Sequence, residues 1–285
     1  MRVTVKRPAM KAIVVVPTYN ERENLENFVH SVRAQPGDID ILVVDDNSPD
    51  GTGDLADELA AQFPGSVSVL HRKRKEGLGP AYLAGFQHVL ANLDHDRIIQ
   101  MDADLSHDPA YLPAFLKASE THDLVLGSRY VKGISVVNWD FKRLLLSKTA
   151  SLYVRIATGL PFTDLTGGFK CWRRQTLEGI DLRKVSARGY IFQTEMTYRA
   201  HRMGFLVGEI PIIFYERNLG RSKISGPIIL EALFRVGLLR FKRLDRSGMS
   251  PTAASSTNPP KSLPCDLSVT APDPARATSG EPSLR

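Results

Sequence analysis

The sequence predicts an α/β fold with a mixed, mainly parallel sheet and helices on both faces. Short runs rich in Val and Ile break into polar turns, and each turn leads into a segment whose apolar residues recur at helical spacing. Strand, polar turn and helix in repetition is the signature of parallel strands joined by crossover helices. Placement adds a third observation. Glu21, Asp45 with Asp46, and Asp102 with Asp104 all fall where a predicted strand ends, and ligands of such sheets bind outside the carboxyl ends of the strands.

Residues 11–16 form the first predicted strand, which stops at Pro17-Thr18-Tyr19-Asn20-Glu21. Beyond it Leu25, Phe28, Val29 and Val32 recur at i, i+3, i+4 and i+7, the apolar face of a helix. The second strand, 39–44, ends in Asp45-Asp46-Asn47-Ser48-Pro49-Asp50-Gly51-Thr52, and Leu55, Leu59 and Phe63 mark the helix after it. Strands follow at 67–70, 97–101 and 124–127, the first two separated by a helix carrying Leu83, Phe86 and Leu90. Directly behind Ile98-Ile99-Gln100-Met101 stand Asp102 and Asp104. In extended backbone, side chains at i and i+2 point the same way, so the two carboxylates can converge on one point. Hard oxygen ligands at a strand end, with positions left for substrate phosphates, suit Mg²⁺ or Mn²⁺. Read alone, the same residues equally allow two capping aspartates in a solvated turn.

A chain of 285 residues suits one large domain. Its net charge of +6 and isoelectric point near 9.3 favour anionic partners such as phospholipid or nucleic acid. Cys171 sits in a strand-like segment and Cys265 in a polar tail, which argues against a structural disulfide and fits a reducing cytosol. Neither a signal-peptide pattern nor a run of roughly 20 apolar residues occurs. Two stretches, 142–156 and 227–246, interleave apolar and basic residues. Each can lie on an anionic membrane surface or pack on the sheet with its cations snorkelling outward. The expected organisation is a basic arm at 1–9, a catalytic domain at 10–226, a membrane- or partner-facing helix at 227–246 and a disordered tail at 247–285, rich in Ser, Thr, Pro and Ala.

The motifs PTYNE (17–21), DDNSPDGT (45–52), GLGPAY (77–82), DADLSHDP (102–109), GSRY (127–130), TDLTGGFK (163–170), GYIFQTEM (189–196) and ERNLGRSK (216–223) occur in that order. With them the sequence resembles the family-2 glycosyltransferases of GT-A fold, and within that family the members that mannosylate a polyprenyl (dolichyl) phosphate. The resemblance implies inverting transfer from GDP-mannose at the cytoplasmic face of a membrane, by a peripheral protein served by the membrane surface or an integral-membrane partner, with no nucleic acid involved. It implies that Pro17, Tyr19, Glu21, Val43 and Asp45 line the nucleotide pocket while Asp46 braces the loop. Asp102 and Asp104 would hold Mg²⁺ or Mn²⁺ on the diphosphate, Ala103 would contribute backbone, and Ser106 stands where relatives often carry Gln. Arg129, Arg217 and Lys223 would serve the acceptor and the leaving group, forming the catalytic set with Asp104. Glu195 would order the acceptor loop, and His107 and Asp164 are turn or strand-end polar groups. Two alternatives stay open: a sibling using UDP-glucose or UDP-N-acetylglucosamine, and a non-catalytic membrane- or RNA-binding protein. The presence of Asp102, Asp104, Arg129 and Lys223 argues against the second.

Overall fold

A computed structural model describes residues 10–137, 141–185 and 189–215, together with Val236, Gly237 and Leu239. Arg217, Lys223, the rest of the 227–246 segment, the arm at 1–9 and the tail at 247–285 lie outside the described residues. The first half alternates β1 (Ala12–Thr18), α1 (Arg22–Arg33), β2 (Ile39–Asp45), α2 (Thr52–Gln62), β3 (Val67–His71), α3 (Leu78–Asn92) and β4 (Arg97–Gln100). Then come α4 (Leu112–Ala118), β5 (Leu124–Ser128), β6 (Val136–Val137), α5 (Phe141–Thr158), β7 (Lys170–Arg173), α6 (Arg174–Gly179), α7 (Tyr190–Arg202), β8 (Val207–Pro211) and β9 (Phe214–Tyr215). Seven strands form one sheet in the order β3-β2-β1-β4-β7-β5-β8, and β6 pairs with β9 separately. All neighbours in the main sheet are parallel except β7, which runs antiparallel to both β4 and β5. The sheet is therefore mixed and mainly parallel, as the sequence predicts.

The central strands read as continuous apolar runs because both of their faces are covered. Along β1, Ile13 and Val15 join one core with Tyr82 and Phe86 of α3 and Phe192 and Met196 of α7. Ala12, Val14 and Val16 join the other, with Leu25 and Phe28 of α1, Leu59 of α2 and Phe115 of α4. Helix α3 lies so close to the sheet that a Cβ on Gly85 would stand 2.5 Å from Val15 Cγ1. Only glycine fits there without moving the helix.

Strand order fixes where ligands go. From β1 the chain winds outward to β2 and β3 and then returns to β4 on the other side of β1. The crevice at such a reversal is the ligand site of open α/β sheets, and here it lies between the ends of β1 and β4. The loops leaving β1, β2 and β4 each hold one non-glycine residue in the left-handed region: Asn20 (φ 59°), Asn47 (φ 57°) and Leu105 (φ 58°). Asn tolerates this conformation, whereas Leu does so at a cost of order 1–3 kcal/mol that its surroundings must offset.

Helix α5 has an inverted pattern. Ser151, Val154 and Thr158 face inward, while Phe141, Leu145, Leu152 and Ile156 are exposed by 52–75%. Val236 and Leu239 are buried in the same core as Val154, so these two residues of the 227–246 segment face inward rather than outward.

Candidate active site

On the β1 and β2 side, Pro17, Tyr19 and Glu21 are half-buried at the turn into α1. The Glu21 carboxylate accepts from Asn24 Nδ2 at 2.8 Å, and its backbone N–H donates to Thr52 Oγ1 at 3.0 Å, joining the first two strand-end loops. Lys75, from the loop after β3, places its ammonium 3.6 Å from the Tyr19 ring centroid, a favourable cation–π distance. Asp45 is buried and accepts from Thr18 Oγ1 (3.0 Å), the Ser48 N–H (3.0 Å) and Ser48 Oγ (2.6 Å). Asp46 pairs with Arg72 and accepts from the Glu76 N–H. Burial pushes its carboxyl upward while Arg72 opposes the shift, and the contact ties down the loop that carries Lys75. In the middle of β2 with both sheet faces covered, the Val43 side chain is wholly buried in the core with Val14 and Val16, so any part it has in the nucleotide pocket falls to its backbone.

The carboxylates at the end of β4 are half-buried, with Ala103 tucked into the core between them. Asp102 accepts from Tyr82 OH at 2.9 Å on Oδ1. Asp104 accepts from the Ser106 N–H at 3.1 Å and Ser106 Oγ at 2.6 Å, both on Oδ1. Ser106 is buried and directed at Asp104. His107 Nδ1 accepts the Asp102 N–H at 3.2 Å, while its ring stacks on Phe169 at 5.0 Å and meets Phe214 edge-on at 5.6 Å. Burial lowers the imidazole's pKa even though both aspartates oppose the shift, keeping it neutral and Nδ1 an acceptor. Among the described residues no three His, Cys, Asp or Glu side chains form a metal cage. Each carboxylate has one oxygen oriented by a donor, and Mg²⁺ held by one or two carboxylates completes its shell with water and substrate phosphate. The pair fits a substrate-borne ion.

Arg129 departs from expectation. It is not an open fork for phosphate: its Nε and Nη2 donate to Asp164 at 2.6 and 2.8 Å, Nη2 also donates to Thr166 Oγ1 at 2.9 Å, and its N–H donates to Asp164 at 3.1 Å. Both members are buried. The physical reason is that an arginine brought to the end of β5 under the 163–168 loop would be desolvated without a counter-charge, and Asp164 supplies it. The chain of contacts continues to Glu209 on β8, which accepts from the Thr163 and Asp164 N–H groups at 2.9 and 3.0 Å. Burial raises the Glu209 carboxyl. Glu195 is also engaged. It is buried and paired with Arg199 at 2.7 Å, and Arg199 reaches the carbonyl of Lys184.

Behind the site runs a buried polar row. Lys170 donates to the Gln193 carbonyl (2.6 Å) and Thr197 Oγ1 (2.9 Å), and burial pushes its ammonium down to about 7. Trp172 Nε1 donates to Gln100 Oε1 at 3.3 Å, and Gln100 Nε2 donates to Gln193 Oε1. The sequence reading assigned no role to Tyr82, Arg72 or Lys75. The aromatic in GLGPAY and the basic run 72–75 were the available signals, but neither names its partner.

The glycosyl transferase family 2 model matches residues 13–180. The chain is 50% identical over 243 residues to polyprenol monophosphomannose synthase of Mycolicibacterium smegmatis, covering 85% of this chain and 91% of that protein. It is 49% identical over 227 residues to undecaprenyl-phosphate mannosyltransferase of Micrococcus luteus, covering 80% and 93%. A glucosyl-3-phosphoglycerate synthase of Mycobacterium tuberculosis solved with Mn²⁺ and uridine diphosphate superposes with a TM-score of 0.57 at 18% identity, over 81% of this chain and 80% of that one. A mannosyltransferase of Pyrobaculum calidifontis solved with GDP-mannose and Mn²⁺ gives 0.52 at 19% identity, over 80% and 69%. These two structures share the fold. With a sheet that reverses between β1 and β4, paired carboxylates at that reversal and relatives at half identity along most of its length, the chain belongs to glycosyl transferase family 2.

Proposed function

We propose that this protein transfers mannose from GDP-mannose to the phosphate of a polyprenyl phosphate, with inversion at the anomeric carbon. The observation that carries the reading is the 50% identity to a polyprenol monophosphomannose synthase over 85% of the chain. Asp102 and Asp104 would hold a Mg²⁺ or Mn²⁺ whose charge stabilises the departing diphosphate. A phosphate monoester has a second pKa near ~6 and is largely ionised at neutral pH, so the acceptor needs orientation more than proton removal. The described residues agree with that. Glu195 is buried against Arg199, and the neutral His107 spends Nδ1 on the Asp102 N–H. Arg217 and Lys223 remain the cations proposed to orient the acceptor and leaving group.

Among the described residues no helix is long and apolar enough to cross a membrane, and the proposed acceptor is a lipid. Helix α5 offers a surface for it. At about 100° per residue, Phe141, Leu145, Leu152 and Ile156 fall within about 60° of one another, with exposed Lys148 and Arg155 at the same stripe. Large apolar side chains among cations suit the headgroup boundary of an anionic leaflet, on the cytoplasmic face if GDP-mannose is the donor. Replacing Phe141, Leu145, Leu152 and Ile156 by Ser is expected to release the protein from anionic vesicles in flotation, with GDP-mannose affinity unchanged. Undiminished flotation would assign membrane contact elsewhere.

The test of the function is transfer of labelled mannose from GDP-mannose to polyprenyl phosphate with Mg²⁺ or Mn²⁺, with UDP-glucose and UDP-N-acetylglucosamine in parallel. A mild-acid-labile, lipid-soluble product from GDP-mannose alone is expected. Product only from a UDP-sugar would keep the family and move the donor.

A further inference from the structure

Tyr82 lies about one turn into α3 and is wholly buried. Its ring is locked between Phe86, 5.9 Å away, and Phe192, 6.0 Å away and parallel within 2°. The hydroxyl has one outlet, Asp102 Oδ1 at 2.9 Å. Facing a carboxylate oxygen at that distance, the phenol O–H donates and Asp102 accepts. Asp102 is fixed at a second atom by His107 Nδ1 on its N–H. Its other oxygen, Oδ2, borders Gly168, where a Cβ would stand 3.4 Å from Oδ2 and 3.2 Å from His107 Cε1. The glycine keeps that side of the carboxylate uncrowded.

We propose that Tyr82 is a positioning residue for divalent-cation binding: by holding Oδ1 it sets the rotamer of Asp102 and leaves Oδ2 as the oxygen offered to Mg²⁺ or Mn²⁺. The inference rests on the reading of Asp102 and Asp104 as the metal carboxylates. Groups that orient a metal ligand from behind commonly change affinity by about 10–100-fold when removed. A purely structural tyrosine would behave differently. Its loss would lower stability and leave metal affinity alone.

The experiment is Mn²⁺ titration of the full chain, read by the electron paramagnetic resonance signal of free Mn²⁺ at saturating GDP, for wild type, Tyr82→Phe and Asp104→Ala. Phenylalanine keeps the stack on Phe86 and Phe192. Tyr82→Phe is expected to raise the Mn²⁺ Kd by about tenfold or more, with the KM for polyprenyl phosphate unchanged. Phe192→Leu, which retains the hydroxyl and loosens its support, is expected to give a smaller rise, and it serves if the first variant does not fold. Wild-type Mn²⁺ affinity in a folded Tyr82→Phe protein, with binding lost in Asp104→Ala, overturns the role of Tyr82 alone. Binding that survives Asp104→Ala overturns the metal reading and this proposal with it.

Discussion

Asp104→Ala is expected to lower transfer by at least about 10³-fold while the fold survives. A metal ion stabilising a departing diphosphate contributes several kcal/mol, and ~4 kcal/mol corresponds to about three powers of ten in rate. The structural cost is smaller. Asp104 is half-buried and its side chain accepts from the N–H and Oγ of Ser106, so truncation removes two local hydrogen bonds, each worth about 1 kcal/mol net. Leu105, held at φ 58° between them, depends on that turn. Asp104→Asn separates the two effects because the amide oxygen can still accept from Ser106 but the charge is gone. Single-turnover transfer should be as low in the Asn variant as in the Ala variant, while its thermal midpoint stays near wild type. Full turnover in either variant would remove Asp104 from the reaction.

The place of Asp102 and Asp104 at the end of β4 was legible in the sequence because its signal is local: an apolar run, then two carboxylates two residues apart. The same holds for the alternation of strands and helices through β4. What could not be read is long-range. Strand β7 inserts antiparallel between β4 and β5, and neither Lys170 nor Cys171 announces its neighbours, because a strand covered on both faces carries no inward–outward period. Val43, whose side chain is in the core, shows why. In such a strand a valine beside the site and a valine in the core look alike. The partner of Arg129 was equally hidden. Thirty-five positions separate it from Asp164, and nothing in GSRY names the 163–168 loop that the fold lays over it. Tyr82 stands in a motif that resembled the family, but its target lies across a helix and a strand.

Breaking the Arg129 and Asp164 pair should produce the largest stability change of any single substitution near the site. Asp164 is 1% exposed and receives the N–H, Nε and Nη2 of Arg129 and the N–H of Gly167. Asp164→Ala leaves Arg129, a residue only 8% exposed, without this counter-ion, and losing one partner of a buried pair costs about 3–5 kcal/mol. At about 2–4 °C per kcal/mol for a domain of this size, the thermal midpoint should fall by roughly 6–20 °C. Burial alone would raise the Asp164 carboxyl, but Arg129 and its hydrogen bonds hold it below the ordinary value. The pair's contribution is therefore complete at neutral pH and is lost as the pH falls through the folded-state pKa. Activity should fall as well. The loop that Asp164 anchors carries Gly168 against Asp102, and a shift of about 1 Å in such a site can cost on the order of 10²-fold. Replacing both members with Arg129→Met and Asp164→Leu should recover much of the stability, since apolar residues of similar volume often match a buried ion pair. Transfer should stay low in that double variant, because the packing is restored but the hydrogen bonds that align the loop with Asp102 are not. Recovery of both properties together would mean that the loop needs only to be filled beneath, and that the ion pair does not align the site.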